Sequence, residues 1–271
     1  MAFRLVYKGS THVPVEVEGI TPDAVAGQSI AEIERLEVFH GNQSTALAEF
    51  FAVTGDPTDG CLEWEGDLSG VHWIAAKMKA GQVHVVGNAG RHLGSEMTGG
   101  EIDVQGDAGD WVGGEMHGGT IRVRGRAGHL AGAAYRGSAR GMTGGTILID
   151  GDAGNEIGHS MRRGLLVVGG SAGDLAGFSM LAGTILVLGD AGIRPGAGMR
   201  RGTIGFFGRN PPPLLPTFRF ACRCQPEILN LILRRLRRRG YPVPDQVWPT
   251  QVALYNGDMI EGGRGEIMIR G

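Results

Sequence analysis

Hydrophobic and polar positions alternate in short segments that return at a fixed spacing along most of the chain. Each segment has a methionine, a glycine three residues later, and two apolar residues at alternating positions before the next glycine. The first begins at Met78, and the methionines then follow in steps of 19, 19, 26, 19, 19 and 19 residues. In one copy Ile102 and Val104 face one side and Asp103 and Gln105 the other. This period-2 alternation predicts one short strand per copy, and no copy has the period of a helix.

Copies of this kind are stable only when they stack. Roughly three apolar side chains per copy contribute about 5–9 kcal/mol on burial, whereas ordering the backbone costs about 1–2 kcal/mol per residue. We therefore predict an all-β-dominated fold, a right-handed parallel β-helix of about 7–8 turns of 19 residues, capped by small mixed α/β terminal segments. Equivalent positions are expected to form four internal ladders. They are Met78, Met97, Met116, Met142, Met161, Met180 and Met199; Val83, Ile102, Ile121, Ile147, Leu166, Ile185 and Ile204; Val85, Val104, Val123, Ile149, Val168, Val187 and Phe206; and Ala89, Ala108, Ala127, Ala153, Ala172 and Ala191.

Weaker copies extend the pattern at both ends, GCLEWEGDLSG at 60–70 and MIEGGRGEIMIRG at 259–271. We divide the chain into a mixed α/β cap (1–59), the repeats (60–208, with an insertion near 133–139) and a C-terminal extension (209–271). In the first part, RLVYKG and PVEVEG predict a hairpin. Thr21 and Pro22 predict the N-cap and first residue of a short helix. STALAEFFAV predicts a second helix that ends before Gly55.

The C-terminal extension contains the segment most typical of a helix, PEILNLILRRLRRRG, predicted over 226–239 with Pro226 at its first position and Gly240 after its end. One face is apolar and is expected to cap the end of the rod. The other is strongly basic, which fits a solvated surface or a docking face for an acidic partner or ligand, with a membrane or nucleic acid as the remaining alternative. The apolar face is Leu229, Ile232, Leu233 and Leu236, and the basic residues are Arg234, Arg235, Arg237, Arg238 and Arg239.

Composition narrows the function classes. Glycine accounts for 49 of 271 residues, yet 42% of residues are hydrophobic and 20% charged, which indicates a folded chain. No apolar run is long enough for a membrane span, and the N-terminus lacks the apolar core of a signal peptide. Three cysteines, Cys61, Cys222 and Cys224, are then expected to be reduced in the cytoplasm. A net charge of −2 argues against general nucleic-acid binding.

The candidate chemical motifs all have structural explanations. Strings such as Gly151-x-x-Gly154-x-x-x-Gly158 resemble nucleotide loops, but they recur in every copy and no helix follows. The period of 19 differs from the nine-residue calcium repeat. His92 and His129 are predicted two turns apart, too far to share a zinc ion. We therefore expect no catalytic residue, no metal site and no cofactor bound by this chain alone.

The longest step, between Met116 and Met142, contains seven additional residues. Insertions in such coils form loops that are often on the binding face. This one carries Tyr135, Arg136 and Arg140, and an inert surface loop is the alternative.

The repeated unit, together with HGNQSTALAEFF (40–51) and YNGDMIEGGRGEI (255–267), resembles the C subunit of formylmethanofuran dehydrogenase. More broadly, it resembles the GXGXG β-helix at the C-terminal end of the glutamate synthase large subunit. The resemblance implies a non-catalytic scaffold subunit. In the related formyltransferase/hydrolase complex of methylotrophic bacteria, a formyl group passes between tetrahydromethanopterin and a methanofuran-type carrier, and formate is released. The implied partners are the amidohydrolase-like A component, the B component and the formyltransferase D component, and carrier and metals belong to those partners.

Three alternatives stay open at the level of sequence. The first is the C subunit of a true molybdenum or tungsten formylmethanofuran dehydrogenase in methanogenesis, although the arginine-, alanine- and glycine-rich composition favours the methylotroph assembly. The others are a glutamate-synthase-like β-helix domain and a stand-alone β-helix enzyme. The last would need clustered acids or a metal on one face.

The resemblance also implies a carrier with a glutamate-rich tail. Arginine pairs well with carboxylates. We therefore hypothesise that Arg122, Arg124, Arg136 and Arg140 guide this tail.

Overall fold

The computed structural model describes residues 3–9, 11–248 and 251–271, apart from the side chain of Gln246. The fold is mostly β, with four short helices among these residues. The strands are β1 (Phe3–Tyr7), β2 (Val15–Glu16), β3 (Glu37–His40), β4 (Gln43–Ala46), β5 (Phe51–Thr54), β6 (Cys61–Glu65), β7 (Val71–His72), β8 (Gln82–Val86), β9 (Glu101–Val104), β10 (Thr120–Val123), β11 (Thr146–Ile149), β12 (Leu165–Val168), β13 (Thr184–Val187), β14 (Arg201–Phe206), β15 (Arg219–Cys224), β16 (Val252–Gly257) and β17 (Arg264–Arg270). The helices are α1 (Pro22–Val25), α2 (Ile30–Ile33), α3 (Leu47–Phe50) and α4 (Glu227–Arg238), and 3-10 turns span Pro57–Asp59, Asp245–Val247 and Met259–Glu261.

The repeats form the middle of a 13-stranded sheet with the order β15-β16-β17-β14-β13-β12-β11-β10-β9-β8-β6-β1-β5. From β6 through β8 to β14, and on to β17, every strand pairs in parallel with its neighbour in this order, and equivalent positions lie opposite each other. Ile121, for example, lies between Ile102 and Ile147. This long sheet fits a β-helix-like architecture, and it includes the two weak copies predicted at the ends.

The predicted internal ladders are confirmed. All seven repeat methionines and both aliphatic ladders are buried, and isolated parallel bridges join the alanines from Ala89 to Ala191. The 26-residue step leaves this pairing intact, since Thr120 still lies opposite Thr146. The additional residues therefore leave the register of the sheet unchanged.

Each methionine packs beneath the glycine that opens the strand of the next copy. A Cβ built on Gly100 would lie 2.6 Å from Met78 Cε, and one on Gly119 would lie 2.6 Å from Met97 Cε. At the first copy, where no earlier methionine exists, Pro22 Cβ takes this place at 2.6 Å from a Cβ on Gly81. At the last copy, Met199 Cε lies 2.6 Å from a Cβ on Gly265. This contact explains why methionine and glycine recur together.

In one turn of each copy, residues other than glycine also adopt a left-handed backbone. One such column has a residue in every copy, with φ between 56° and 65°. This conformation is strained for a side chain with a Cβ. Backbone hydrogen bonds to the next copy hold it, such as His92 N–H to the Asp110 carbonyl at 2.9 Å. The residues are Trp73, His92, Trp111, Leu130, Glu156, Leu175 and Arg194.

The N-terminal flank departs from its prediction. The hairpin is wrong: β1 pairs with β5 and β6, whereas β2 lies in a separate four-stranded sheet with β3 and β7. The short helix α1 is confirmed, with the Thr21 side chain accepting from Ala24 N–H. The second predicted helix forms only the single turn α3 and then continues as β5, because Phe51 and Val53 are drawn into the core.

Helix α4 forms close to its predicted bounds, with Pro226 at the N-cap and Gly240 left-handed after the last turn. The prediction that it caps the rod is wrong. Its apolar face packs on the outward side of β11, β12 and β13, against Leu148, Val167 and Leu186. Among the described helices, none has the length and apolar character needed to cross a bilayer.

Candidate functional site

The four arginines predicted to guide a carrier tail lie in three different places. Arg122 of β10 and Arg124, the residue that follows this strand, line one cleft of about 310 Å³, which Arg239 of the segment after α4 also lines. Arg136 lines a smaller cleft of about 240 Å³. Arg140 lines a third, of about 520 Å³. The structure thus brings together only the first pair.

Arg122 is engaged within the protein. Its Nη2 donates to Asp150 Oδ2 at 2.9 Å, and the two side chains are only 14% and 18% exposed. The guanidinium also lies over the Tyr241 ring, 5.7 Å from its centroid. Tyr241 in turn donates its hydroxyl to the Ile149 carbonyl at 2.6 Å, and burial raises its pKa. This arrangement fixes the chain after α4 to the outer face of the sheet.

Arg124 makes a two-point contact with Asp103, with Nε–Oδ1 and Nη2–Oδ2 distances of 3.0 and 2.8 Å. This hydrogen bonding raises the pKa of Arg124. Both side chains remain well exposed, at 45% and 32%. A ligand carboxylate would have to replace Asp103 here.

Arg140 belongs to a larger basic surface, which we name the arginine cleft: Arg140, Arg162, Arg200, Arg201 and Arg264, with Glu261 as the acidic residue in the lining. The carboxylate pairs with one arginine, since Arg200 Nε lies 3.1 Å from Glu261 Oε2. The surplus of guanidinium groups suits a ligand with several carboxylates or other anionic groups.

Sequence reasoning found only Arg140 of this cleft. The signal was present in the two MRRG corners, at 161–164 and 199–202, which place arginine pairs at equivalent positions two copies apart. Because the copies stack, these arginine pairs lie in one column on the surface and concentrate positive charge there. The final copy adds Arg264, which lies directly opposite Arg201.

The base of the insertion is anchored on the repeats by Tyr135. Tyr135 folds back onto a stack in which the rings of Trp73 and His92 are 4.1 Å apart and those of His92 and Trp111 are 5.4 Å apart. Its hydroxyl donates to Ser95 Oγ at 2.7 Å and lies 3.0 Å from His92 Nδ1. Arg136 and Arg140 therefore project from a loop with a fixed base.

The His92 stack predicts a pH dependence of stability. Burial, together with His72 and Arg91, lowers the pKa of His92 to about 4, whereas a histidine in the unfolded chain titrates near 6.5. The neutral ring therefore stabilises the fold fully above about pH 6.5, and this contribution is lost as the pH falls towards 4. We expect a loss of about 2 kcal/mol in the free energy of unfolding, measured by urea denaturation between these pH values. The variant His92→Phe should show a flatter profile, and an unchanged profile would contradict the assignment to His92.

The other candidate ligands do not assemble into a site. Within the ranges that the structure describes, no three His, Cys, Asp or Glu side chains lie close enough to hold a metal ion. Cys61, Cys222 and Cys224 are free thiols. His129 lies in a different column of the coil from His92, where its Nδ1 accepts from Asn155 N–H at 2.9 Å. The His129 ring is therefore engaged in a hydrogen bond with the backbone of a neighbouring copy.

The stacked copies and their surface clefts define a repeat protein of the GXGXG type. Residues 70–215, more than half of the chain, match the family model described as the GXGXG motif, and the chain belongs to this family. Its relatives include components of formylmethanofuran dehydrogenases. The C subunit of the tungsten-containing formylmethanofuran dehydrogenase 2 of Methanothermobacter thermautotrophicus is 39% identical over 95 residues, 34% of this chain and 35% of the relative.

Two further comparisons differ in extent. The C subunit of the molybdenum-containing formylmethanofuran dehydrogenase 1 of the same organism is 46% identical over 95 residues, 35% of this chain and 24% of the relative. The chain thus spans about a third or less of the length of these curated relatives. A chain in the crystal structure of the formyltransferase/hydrolase complex (FhcABCD) from Methylorubrum extorquens with methylofuran is similar throughout. It is 32% identical with a TM-score of 0.87, covering 99% of both chains.

Proposed function

We propose that this chain is a non-catalytic scaffold subunit of a formyltransferase/hydrolase complex. The complex transfers a formyl group between tetrahydromethanopterin and a methanofuran-type carrier and releases formate. The observation that carries the proposal is the whole-length similarity to a chain of the Methylorubrum extorquens complex, at 99% coverage of both chains. The proposed coil is a right-handed parallel β-helix of about 7–8 turns, consistent with the in-register parallel pairing one copy apart.

Chemistry is assigned to the partner subunits in this proposal. The expected partners are the amidohydrolase-like A component, the B component and the formyltransferase D component, which would also bring any metal. The alternative, the C subunit of a molybdenum or tungsten formylmethanofuran dehydrogenase, is supported by the higher local identities of 39% and 46%, but these extend over only 95 residues. Whole-length similarity favours the transferase/hydrolase complex.

The test is purification of the chain from its native cell with an affinity tag. Co-elution of the three partners, with formyl transfer activity and without a molybdenum or tungsten pterin, is the expected result. A metal pterin in the eluate would favour the dehydrogenase. Elution of an active chain alone would contradict the scaffold role.

We further propose that the arginine cleft and Arg136 contact the anionic tail of the carrier. The double variant Arg136→Ala/Arg140→Ala in the assembled complex should raise the KM for the carrier by roughly 5-fold, because charge-assisted contacts to carboxylates are lost. It should also weaken the salt dependence of KM. Arg122 is less suited to this role because Asp150 already holds it.

The matched control is Arg194→Ala. Arg194 is also an exposed arginine, and it lies at a different turn of the repeats. It should leave KM and its salt dependence unchanged. If the double variant behaves like this control, the carrier tail does not depend on Arg136 and Arg140.

A further inference from the structure

Strand β15 lies at one end of the 13-stranded sheet, and most of its residues are exposed. It pairs with β16 on one side. No other strand of the described residues pairs with its second edge. Five of its six residues are exposed, and Phe220 is 56% exposed.

The opposite end of the sheet is protected in the usual way. There β5 has only four residues, Phe51 and Val53 are buried, and α2 and α3 pack beside it. Natural proteins shield edge strands because unpaired N–H and C=O groups form a template for another strand. β15 is longer and is interrupted only by a register shift between Phe220 and Cys222. Such an edge is suited to strand addition.

The charge of β15 indicates what kind of segment fits. Arg219 and Arg223 are its charged residues, and neither forms an ion pair within the described part of the chain. Pairing with a second copy of β15 would bring these arginines beside one another, and like charges on neighbouring strands destabilise a sheet. An acidic segment would instead place carboxylates beside both guanidinium groups.

An apolar contact is also available. Phe220 packs edge-on against Tyr255, with ring centroids 5.7 Å apart, and more than half of its surface remains open. An incoming strand can cover this ring with one side chain while its backbone pairs with the edge. Strand addition of this kind combines main-chain hydrogen bonds with side-chain selectivity.

We propose that β15 receives an extended acidic segment of another subunit, which adds to the sheet as a further strand. The inference rests on the proposed function, since that function supplies the other subunits. It assigns one end of the sheet as an interface, independently of the arginine cleft and the carrier.

Hydrogen–deuterium exchange tests the proposal on the full chain, alone and in the purified complex. The amides of 219–224 should exchange at least 10-fold more slowly in the complex. The variant Arg219→Glu/Arg223→Glu should raise the apparent Kd of assembly by about 10-fold, because it reverses both charges at the interface. The matched control is Arg194→Glu/Arg209→Glu, the same charge change at exposed positions away from β15. It should assemble normally.

Each outcome bears on a different claim. A complex that forms while 219–224 exchange equally fast in both states overturns the edge proposal and leaves the proposed function standing. Equal loss of assembly in both charge variants overturns strand addition in favour of a general charge effect. Protection of 219–224 in the isolated chain, with a dimer in sedimentation experiments, identifies a second copy and overturns the acidic partner. Failure of any complex to form contradicts the proposed function itself.

Discussion

Replacing Asp150 by alanine is expected to lower the free energy of unfolding by about 3–5 kcal/mol, because it leaves the Arg122 guanidinium buried without its counter-charge. Both side chains of the pair are less than a fifth exposed. Asp150 Oδ1 and Arg122 Nε already lack hydrogen-bond partners among the described residues, so the pair depends on the single contact between Arg122 Nη2 and Asp150 Oδ2. Urea denaturation monitored by circular dichroism measures the change.

Two variants make this expectation specific. Asp103→Ala removes the same kind of partner from the exposed pair with Arg124, and it should cost no more than about 1 kcal/mol. Arg122→Met/Asp150→Leu replaces both charges by apolar groups of similar size, and it should recover most of the stability. If Asp150→Ala lowers the free energy of unfolding no more than Asp103→Ala does, then water reaches Arg122, and the structural role assigned to the Arg122–Asp150 pair is wrong.

Replacing Gly119 by alanine is expected to destabilise the protein by about 2–5 kcal/mol. Its φ of +87° disfavours a side chain, which costs about 1–2 kcal/mol. The added Cβ would also lie 2.6 Å from Met97 Cε and 2.7 Å from the Gly100 carbonyl oxygen, so the backbone of the preceding copy must move. Overpacking of this kind adds about 1–3 kcal/mol. Thermal and urea unfolding measure the sum.

Gly137 provides a control with the same backbone angle. It also has a φ of +87°, but a Cβ built there meets nothing within 4 Å. Gly137→Ala should therefore show the conformational cost alone, about 1–2 kcal/mol. Equal effects at the two positions would mean that the contact between methionine and glycine contributes little to stacking.

The repeats could be predicted from the sequence because local pattern and long-range contact coincide there. In a stacked repeat, a strand pairs with its own equivalent, so the position of Ile121 beside Ile102 and Ile147 follows from the spacing alone. Period-2 alternation then fixes which side chains are internal. The same reasoning placed the last strand, in which Ile267 lies opposite Ile204.

The strand pairing in the flanks could not be predicted in this way, because these segments do not repeat and their spacing does not indicate which strands pair. The alternation around β1 and β2 indicated two strands correctly, but β1 pairs with β5 and β6, and β2 pairs with β3 and β7.

The location of α4, in contrast, has a signal in the sequence. Leu148, Val167 and Leu186 are apolar at outward positions where earlier copies have His84, Asp103 and Arg122. Loss of alternation on three successive strands marks a covered outer face.

The candidate site was predicted only in part for a related reason. Arg140 is a candidate from the sequence because it lies in an insertion, whereas Arg162 and Arg200 lie within the regular copies and have no such local signal. In a stacked repeat, equivalent positions of successive copies form one column on the surface, so a charged surface is found only when the copies are compared position by position. The anchoring of Tyr135 near His92 joins positions 43 residues apart and has no local signal.

The contact between each methionine and the glycine of the next copy makes the stack directional. Every copy supplies a methionine to the copy after it and a glycine to the copy before it, so the two ends of the stack are not equivalent. At the first end, Pro22 occupies the methionine position beneath Gly81, and at the last end, Gly265 covers Met199. Both ends of this methionine–glycine series are thus occupied within the chain, so the contact that stacks one copy on the next is not available to a second molecule. We therefore expect any assembly to use the sides of the stack or the edge of its sheet.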